Sequence, residues 1–389
     1  SQINPGKYHL GYRFPTPVLI DKLGMDVDDE HRIELKFKHS VIVNRTVYVG
    51  NVQVFSRQNG TIKVEGDSMY KSIVNEFDVF TNYNKIEAAV SDGEDITALA
   101  EFADKVLQFK QNTLYIINVS GQIEVLESTN LHKGVSGPSS VCKTDYGIAW
   151  VNKHGCYLYD GRSIHDLIEK DGMKRISNSS WSSFLGTNPM IGYFPNKRQI
   201  IVVDAIDTSK TGACFIYDIV TKSWIKSKDV KFEDAVKSNF INDWNGDLVY
   251  ATSATPKKWT NTPVVGTISF ISKDIDFGQP SVRKKIYRVR ISYKGNGTAL
   301  SVKYSVNGDT DTLYLFEGTS SGSPTGNSDA SPLEDKSTDL TQWHHAELKP
   351  STSSEANNIY SFQLHISGTA TADVEFNDIT IIYRSKNIR

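Results

Sequence analysis

Asp160 and Asp218 are the first residues to weigh for chemistry, because each closes a near-repeated strand, Cys156-Tyr-Leu-Tyr-Asp160 and Cys214-Phe-Ile-Tyr-Asp218. Glycoside hydrolysis needs two carboxyl groups, one to protonate the leaving oxygen and one to act as base or nucleophile. Two aspartates at equivalent strand ends are more simply turn caps, accepting hydrogen bonds from the N–H groups that follow. Gly318-Thr-Ser-Ser-Gly322 spells Gly-x-Ser-x-Gly. It lies in a stretch of Gly, Ser, Thr, Pro and Asn, without the strand before and helix after that a nucleophile elbow requires. Asp26-Val-Asp-Asp-Glu30 offers alternating oxygen ligands. Lacking the loop glycine and distal glutamate of an EF-hand, it reads as a solvated turn.

Contact chemistry is better represented than catalysis. Trp343 could stack on a sugar, as could Tyr314, and His344-His345 beside Trp343 suggests a metal. Neighbouring residues on a strand point to opposite faces, so those two imidazoles would not share one ion. Arg283, Lys284, Arg288, Arg290 and Lys294 form a basic row that could meet phosphate or an acidic partner, although such a row is also what the wet side of a sheet looks like. Trp343, His344, Tyr314, Arg288 and Arg290 are therefore the candidate ligand or partner contacts. With no phosphate-cradling glycine loop, His-Glu-x-x-His or paired Cys-x-x-Cys in the chain, the expectation is a protein that is not an enzyme and has no catalytic, metal or cofactor site.

The elements that must position these residues are strands. Phe102 to Phe109, Asn112 to Asn118, Tyr146 to Val151 and Gly155 to Asp160 are short runs rich in β-branched and aromatic residues, separated by Gly, Ser, Asn and Pro. Tyr157-Leu-Tyr-Asp160 aligns with Phe215-Ile-Tyr-Asp218, with Tyr115-Ile-Ile-Asn118 and with Tyr48-Val-Gly-Asn51, at uneven spacings. Repeats of this kind suit propeller blades of about 40 to 50 residues with loop insertions; a two-sheet sandwich is the alternative. Val41 to Val49 begins the first blade-like hairpin, Met69 to Glu101 reads as loops and strand ends with one short strand at Ile96 to Ala100, and a helical turn is expected over Ile164 to Lys170. Asn245-Gly246 marks a last hairpin.

Past the proline-bearing junction at Thr255 to Pro263 the pattern changes. Tyr287, Val289, Ile291 and Tyr293 alternate with polar residues, as do Leu300, Val302, Tyr304 and Val306, then Tyr360, Phe362, Leu364 and Ile366. One buried face and one wet face is how sandwich sheets are written, and Ile379 to Arg384 is expected to zip the sandwich shut. The fold class is all-β, an irregular β-propeller followed by a jelly-roll-like C-terminal β-sandwich. The expected divisions are a lead-in over 1–35, a propeller-like domain over 36–265 and a sandwich over 266–389.

The totals agree with an assembly of sheets. The chain has 389 residues, 43 basic against 45 acidic, and a net charge of −2, which argues against a general nucleic-acid coat or a polybasic membrane binder. Three cysteines are too few and too odd in number for a disulfide framework, and buried thiols are expected. No apolar run approaches a membrane span. The chain opens on Ser1 rather than Met, as a processed or truncated piece would.

Three segments are familiar in wording. Asp104-Lys-Val-Leu-Gln-Phe-Lys-Gln-Asn-Thr-Leu-Tyr-Ile-Ile-Asn118, Asp145-Tyr-Gly-Ile-Ala-Trp-Val-Asn-Lys-His-Gly-Cys-Tyr-Leu-Tyr-Asp-Gly161 and Glu375-Phe-Asn-Asp-Ile-Thr-Ile-Ile-Tyr-Arg384 resemble virion structural proteins of tailed bacteriophages. The likeness is to tail proteins of short-tailed phages, including crAss-like phages, of the nozzle or muzzle kind. It runs from about residue 40 to the end and carries no catalytic motif. The resemblance implies a β-propeller-bearing tail component in a homo-oligomeric ring around the DNA exit channel, bound to other virion tail proteins and touching the genome only in transit. It implies assembly in the bacterial host cytoplasm and residence in the virion. The alternatives are a carbohydrate or host-receptor-binding module of a phage tail and a glycan-degrading propeller enzyme.

Overall fold

The computed structural model describes residues 18–20, 33–56, 61–88, 92–170, 172–186, 189–203, 212–230, 240–251, 256–259, 266–317, 333–351, 353–371 and 373–386. The acidic run at Asp26 to Glu30 and the Gly318 to Gly322 stretch lie outside them. The chain divides into two compact units, Ser1–Trp259 and Thr260–Arg389.

The first unit opens with five strands, β1 (Val18–Ile20), β2 (Ile33–Val43), β3 (Thr46–Ser56), β4 (Thr61–Ile73) and β5 (Glu76–Ile86). They form a meander that closes when β1 pairs parallel with β5, making a small barrel rather than the blade expected to begin at Val41. Asn44 and Arg45 both take positive φ, the two-residue turn that suits the twist of β2 and β3. Leu35, Val47, Val49, Val52, Tyr70 and Phe80 make its interior. Strands β4 and β5 replace the loops expected after Met69. Their alternation is obscured because β4 buries polar groups that find partners: the Ser72 hydroxyl accepts from Val47 N–H at 2.9 Å, and Tyr70 Oη donates to Glu65 Oε2 at 2.6 Å. Asn51, aligned above with turn residues, is instead a left-handed bulge inside β3, where the Gly50/Val52 register shifts.

Four sheets follow, each an antiparallel meander. The first is β6 (Ala98–Phe102), β7 (Lys105–Phe109), β8 (Thr113–Asn118) and β9 (Val125–Leu131), and the second is β10 (Val141–Thr144), β11 (Gly147–Asn152), β12 (Gly155–Tyr159) and β13 (Ile164–Asp166). A hairpin, β14 (Glu169–Lys170) and β15 (Met173–Lys174), and helix α1 (Asn178–Phe184) precede the third: β16 (Met190–Phe194), β17 (Gln199–Val203), β18 (Gly212–Asp218) and β19 (Ser223–Val230). The fourth has β20 (Ile241–Asn242), β21 (Leu248–Ala251) and β22 (Pro256–Lys258). Residues Phe102 to Phe109, read above as one run, are two strands parted at Ala103 and Asp104, both at positive φ. The expected helical turn at Ile164 to Lys170 is instead two short strands, β13 and β14, joined by a bend at Leu167 and Ile168. The helix lies later, where the Ser177 hydroxyl caps Ser180 N–H and Trp181 and Phe184 are buried; burial of these two rings outweighs the poor helix propensity of a Ser-rich segment.

The cores of this unit lie between sheets. Leu107 and Phe109 of the first sheet share a core with Ile148 and Trp150 of the second. Ala149 and Val151, on the other face of β11, share one with Ile200 and Val202 of the third. Ile201 and Val203 then meet Leu248 of the fourth. A strand covered on both faces is apolar at every position, which is why β11 and β17 read as continuous runs. Cys156 and Cys214 are buried in these layers and form no disulfide with each other.

The second unit is built on β24 (Lys284–Asn296), which follows β23 (Gly266–Ile271) and precedes β25 (Leu300–Val306), β26 (Tyr314–Glu317), β27 (Asp335–Lys336), β28 (His344–Pro350), β29 (Asn357–Ile359), β30 (Phe362–Ala370) and β31 (Glu375–Ser385). One layer runs β23-β30-β25-β26, and β26 pairs with β28 to lead into the other, β28-β24-β31. Both layers contribute to a single core that includes Val289, Ile291, Val302, Tyr304, Leu348 and Leu364. Two expected inward residues face out. Tyr287 is the extra residue of a bulge between Ile286 and Arg288, and Ile286 fills the core in its place. Tyr360 precedes β30 and is exposed. Among the described residues no helix is long and apolar enough to cross a membrane.

Candidate functional site

The proposed contact residues divide between the two layers of the second unit. Arg288 and Arg290 lie on the outer face of β24, opposite Glu347 of β28, and share its carboxylate: Arg288 Nη1 reaches Oε1, and Arg290 Nη2 reaches Oε2 at 3.0 Å. Arg290, with burial opposing and Arg288 assisting, holds the Glu347 carboxyl below the usual carboxylate range. Further along β24, Lys294 Nζ stands 4.5 Å from the centre of the Trp343 ring. Tyr314 is elsewhere, on β26, with its ring 5.4 Å from that of Tyr304 and packed against the core.

The basic row is thus interrupted. Lys284 is fully buried and its Nζ donates to the carbonyls of Gln279 and Tyr360, at 2.5 and 2.8 Å. Arg283 Nε donates to Tyr360 Oη at 3.1 Å. His344 pairs across the strands with Tyr293 of the core face, and His345 with Ser292 of the outer face, so the two imidazoles diverge. Among the described residues no three of His, Cys, Asp and Glu converge as a metal site.

Asn118 and Asp218 end the third strands of their four-stranded sheets, and Asp160 directly follows the third strand of its own. Asp160 Oδ1 accepts from the N–H groups of Arg162 and Ser163, both at 2.8 Å, and Asp218 Oδ1 from those of Val220 and Thr221, both at 2.9 Å. Asn118 Oδ1 accepts in the same way from Ser120 N–H at 2.9 Å. Around Asp160 a serine and a histidine complete a superficially catalytic set: His165 Nε2 lies 2.8 Å from Asp160 Oδ2 and 3.1 Å from Ser163 Oγ. Both contacts use one ring nitrogen, whereas a relay needs the carboxylate on one nitrogen and the nucleophile on the other. His165 and the Ser163 N–H hold the Asp160 carboxyl below its ordinary range. At Asp218 burial raises the carboxyl, but the Thr221 N–H and its neighbours outweigh it and the group again sits low. A glycosidase acid needs the opposite shift.

The surface features that residue motifs missed are apolar. Trp244, at the tip of the β20–β21 turn, is 98% exposed. Its turn is rigid, with Asp243 Oδ1 accepting from Asn245 and Asp247 N–H at 2.9 Å each and Lys258 bridging Asp243 and Asp247. Ile42, Val74 and Phe77 are exposed beside the β2–β3 and β4–β5 turns, which are tied together by Asn75 N–H donating to the Arg45 carbonyl at 2.9 Å. Tryptophan inside Asp-Trp-Asn-Gly was the available signal. A cleft of about 400 Å³ also opens where the β7–β8 and β11–β12 turns meet, lined by Asn112, His132, Asn152, His154 and Pro189.

No family profile and no curated protein matches the chain. Solved structures give slight likenesses. A protein from Lactobacillus plantarum is 12% identical with a TM-score of 0.32, over 86% of this chain and 99% of that one. The GH43 protein BlXynB from Bacillus licheniformis is 9% identical with a TM-score of 0.27, over 90% and 97%. The extracellular domain of a hybrid two-component system from B. thetaiotaomicron is 12% identical with a TM-score of 0.32; 57% of this chain covers only 31% of that one. TM-scores this low carry no argument about fold or activity.

Proposed function

We propose that this chain is a structural component of a bacteriophage tail, a small barrel and an irregular β-propeller followed by a β-sandwich, that works by protein–protein assembly in a nozzle- or muzzle-like ring. The observation that carries the assembly reading is the placement of apolar side chains. Val74 and Trp244 stand on hairpin turns, and Ile42 and Phe77 beside them, all exposed where turns are held by their own hydrogen bonds. Apolar groups on rigid, projecting turns are suited to insertion into a neighbour. The stacking of successive meanders face to face supports the propeller reading, and the phage assignment rests on the wording of the three segments quoted above. The turn-capping roles of Asp160 and Asp218 favour assembly over sugar hydrolysis.

The second reading, a carbohydrate or host-receptor-binding module, is favoured by Trp244 and Trp343, exposed aromatics that could stack on a sugar. Titration of the full chain with host-envelope glycans, with sugar release followed in the same samples, separates the readings. Assembly predicts neither saturable binding nor release. Release that is abolished by Asp160→Asn or Asp218→Asn would establish the enzyme, and saturable binding lost in Trp244→Ala or Trp343→Ala would establish the module.

A further inference from the structure

The last strand, β31, does not shut the second unit. It pairs with β24 along its length, from Lys284↔Ser385 to Lys294↔Glu375, and among the described residues with no other strand. The opposite end of the sheet, β23, likewise pairs only with β30 among the described residues. None of the eleven residues of β31 is fully buried: Phe376, Ile379 and Ile381 pack only partly against the core, the Tyr383 ring centre lies 4.1 Å from that of Phe277, and Ile382 is on the outer face. Its partner β24 buries Val289 and Ile291 completely. A long, apolar strand with one row of free N–H and C=O groups is a template for another strand, and soluble proteins normally blunt or cover such an edge.

We propose that β31 is the edge through which two copies of this chain join, antiparallel, about a two-fold axis at Ile381. The register follows from which residues face which side. Ile379, Ile381 and Tyr383 oppose the core-facing Ile291, Val289 and Ile286 of β24, while Asp378, Thr380 and Ile382 oppose outer-face residues. A two-fold axis normal to the sheet preserves faces, so each residue must meet one of its own parity. Centring on Ile381 sets Ile379 against Tyr383 of the second copy on the inner face and Thr380 against Ile382 on the outer. It also sets Asp378 against Arg384, twice by symmetry. Asp378 and Arg384 are both exposed, and neither is ion-paired within the chain among the described residues. Opposite charges and β-branched or aromatic pairs are the favoured cross-strand neighbours, and main-chain bonds supply the rest of the affinity, as in strand addition generally. The pairing stands apart from ring formation: it joins two rings, or two single chains where no ring forms.

The test is sedimentation equilibrium of the full chain beside Asp378→Arg, Arg384→Asp and the double swap. Either single swap sets like charges opposite each other at two places and weakens self-association by about tenfold or more, and the double swap restores it. Independently, Ile381→Cys brings two thiols face to face and gives an intermolecular disulfide under mild oxidation, while Glu375→Cys does not. A chain that stays monomeric at every concentration, self-association indifferent to both single swaps, or equal cross-linking at 375 and 381 overturns the proposal.

Discussion

The rings of Phe109 and Trp150 meet edge to face, centroids 5.5 Å apart and planes at 65°, although they belong to different sheets. Tyr157 adds a third ring at 5.5 Å from Trp150, and Lys133 Nζ lies 3.4 Å from the Tyr157 ring centre. This cluster joins the first meander to the second, and its loss is felt by both.

Trp150→Ala should therefore cost about 3–5 kcal/mol in the first unit. Trp150→Phe should cost much less than its lost area suggests, because the indole N–H is buried without an acceptor among the described residues and its removal relieves that penalty. Scanning calorimetry checks both points: the alanine variant lowers one transition and leaves the second unit's in place. A single transition that moves as a whole contradicts the division at Trp259.

Glu65 links the stability of the barrel to pH. It is 7% exposed and lies between Lys63 and Lys85, 2.5 and 3.4 Å away. Burial raises its carboxyl, but the contacts from Lys63, Tyr70 and Lys85 outweigh burial and leave it below the ordinary 4.5. A carboxyl lowered on folding contributes stability that is complete above its unfolded value and lost as pH falls through the folded one. The first unit should weaken as pH falls below the ordinary glutamate value and through the lower folded one. Glu65→Gln should flatten that decline and cost about 1–3 kcal/mol at neutral pH, read from denaturant midpoints across the range.

Lys284 fastens the segment before β24. Replacing it with Met keeps the buried stem but leaves the Gln279 and Tyr360 carbonyls without their donor. The expected cost is about 1–3 kcal/mol, confined to the second unit. Hydrogen exchange should also show faster opening of Ser361 and Phe362 amides, and unchanged protection there would refute the fastening role.

What the sequence made legible follows from how each strand is covered. Ile200-Ile-Val-Val203 is apolar throughout because β17 lies between two sheets, and Val289 and Ile291 alternate with arginines because β24 is covered on one side. Asn118, Asp160 and Asp218 were recognisable as one position because turn capping needs the same short acceptor each time. The barrel was hidden: Glu65, Tyr70 and Ser72 satisfy one another and neighbouring backbone inside, so β4 shows no simple period. Tyr287 was misplaced because a bulge shifts parity without leaving a mark in composition. The Arg288–Glu347–Arg290 cluster depends on strands 57 or more residues apart, beyond the reach of any local pattern.

The most direct test of assembly as the function is the mass of the full chain in solution by light scattering, with negative-stain imaging of the same sample. The account predicts a closed ring or pairs of rings, formed by the chain alone or with other virion proteins, and loss of these particles when Trp244 and Phe77 are changed to Asp. A stable monomer in every mixture, with those two substitutions changing nothing, would contradict it.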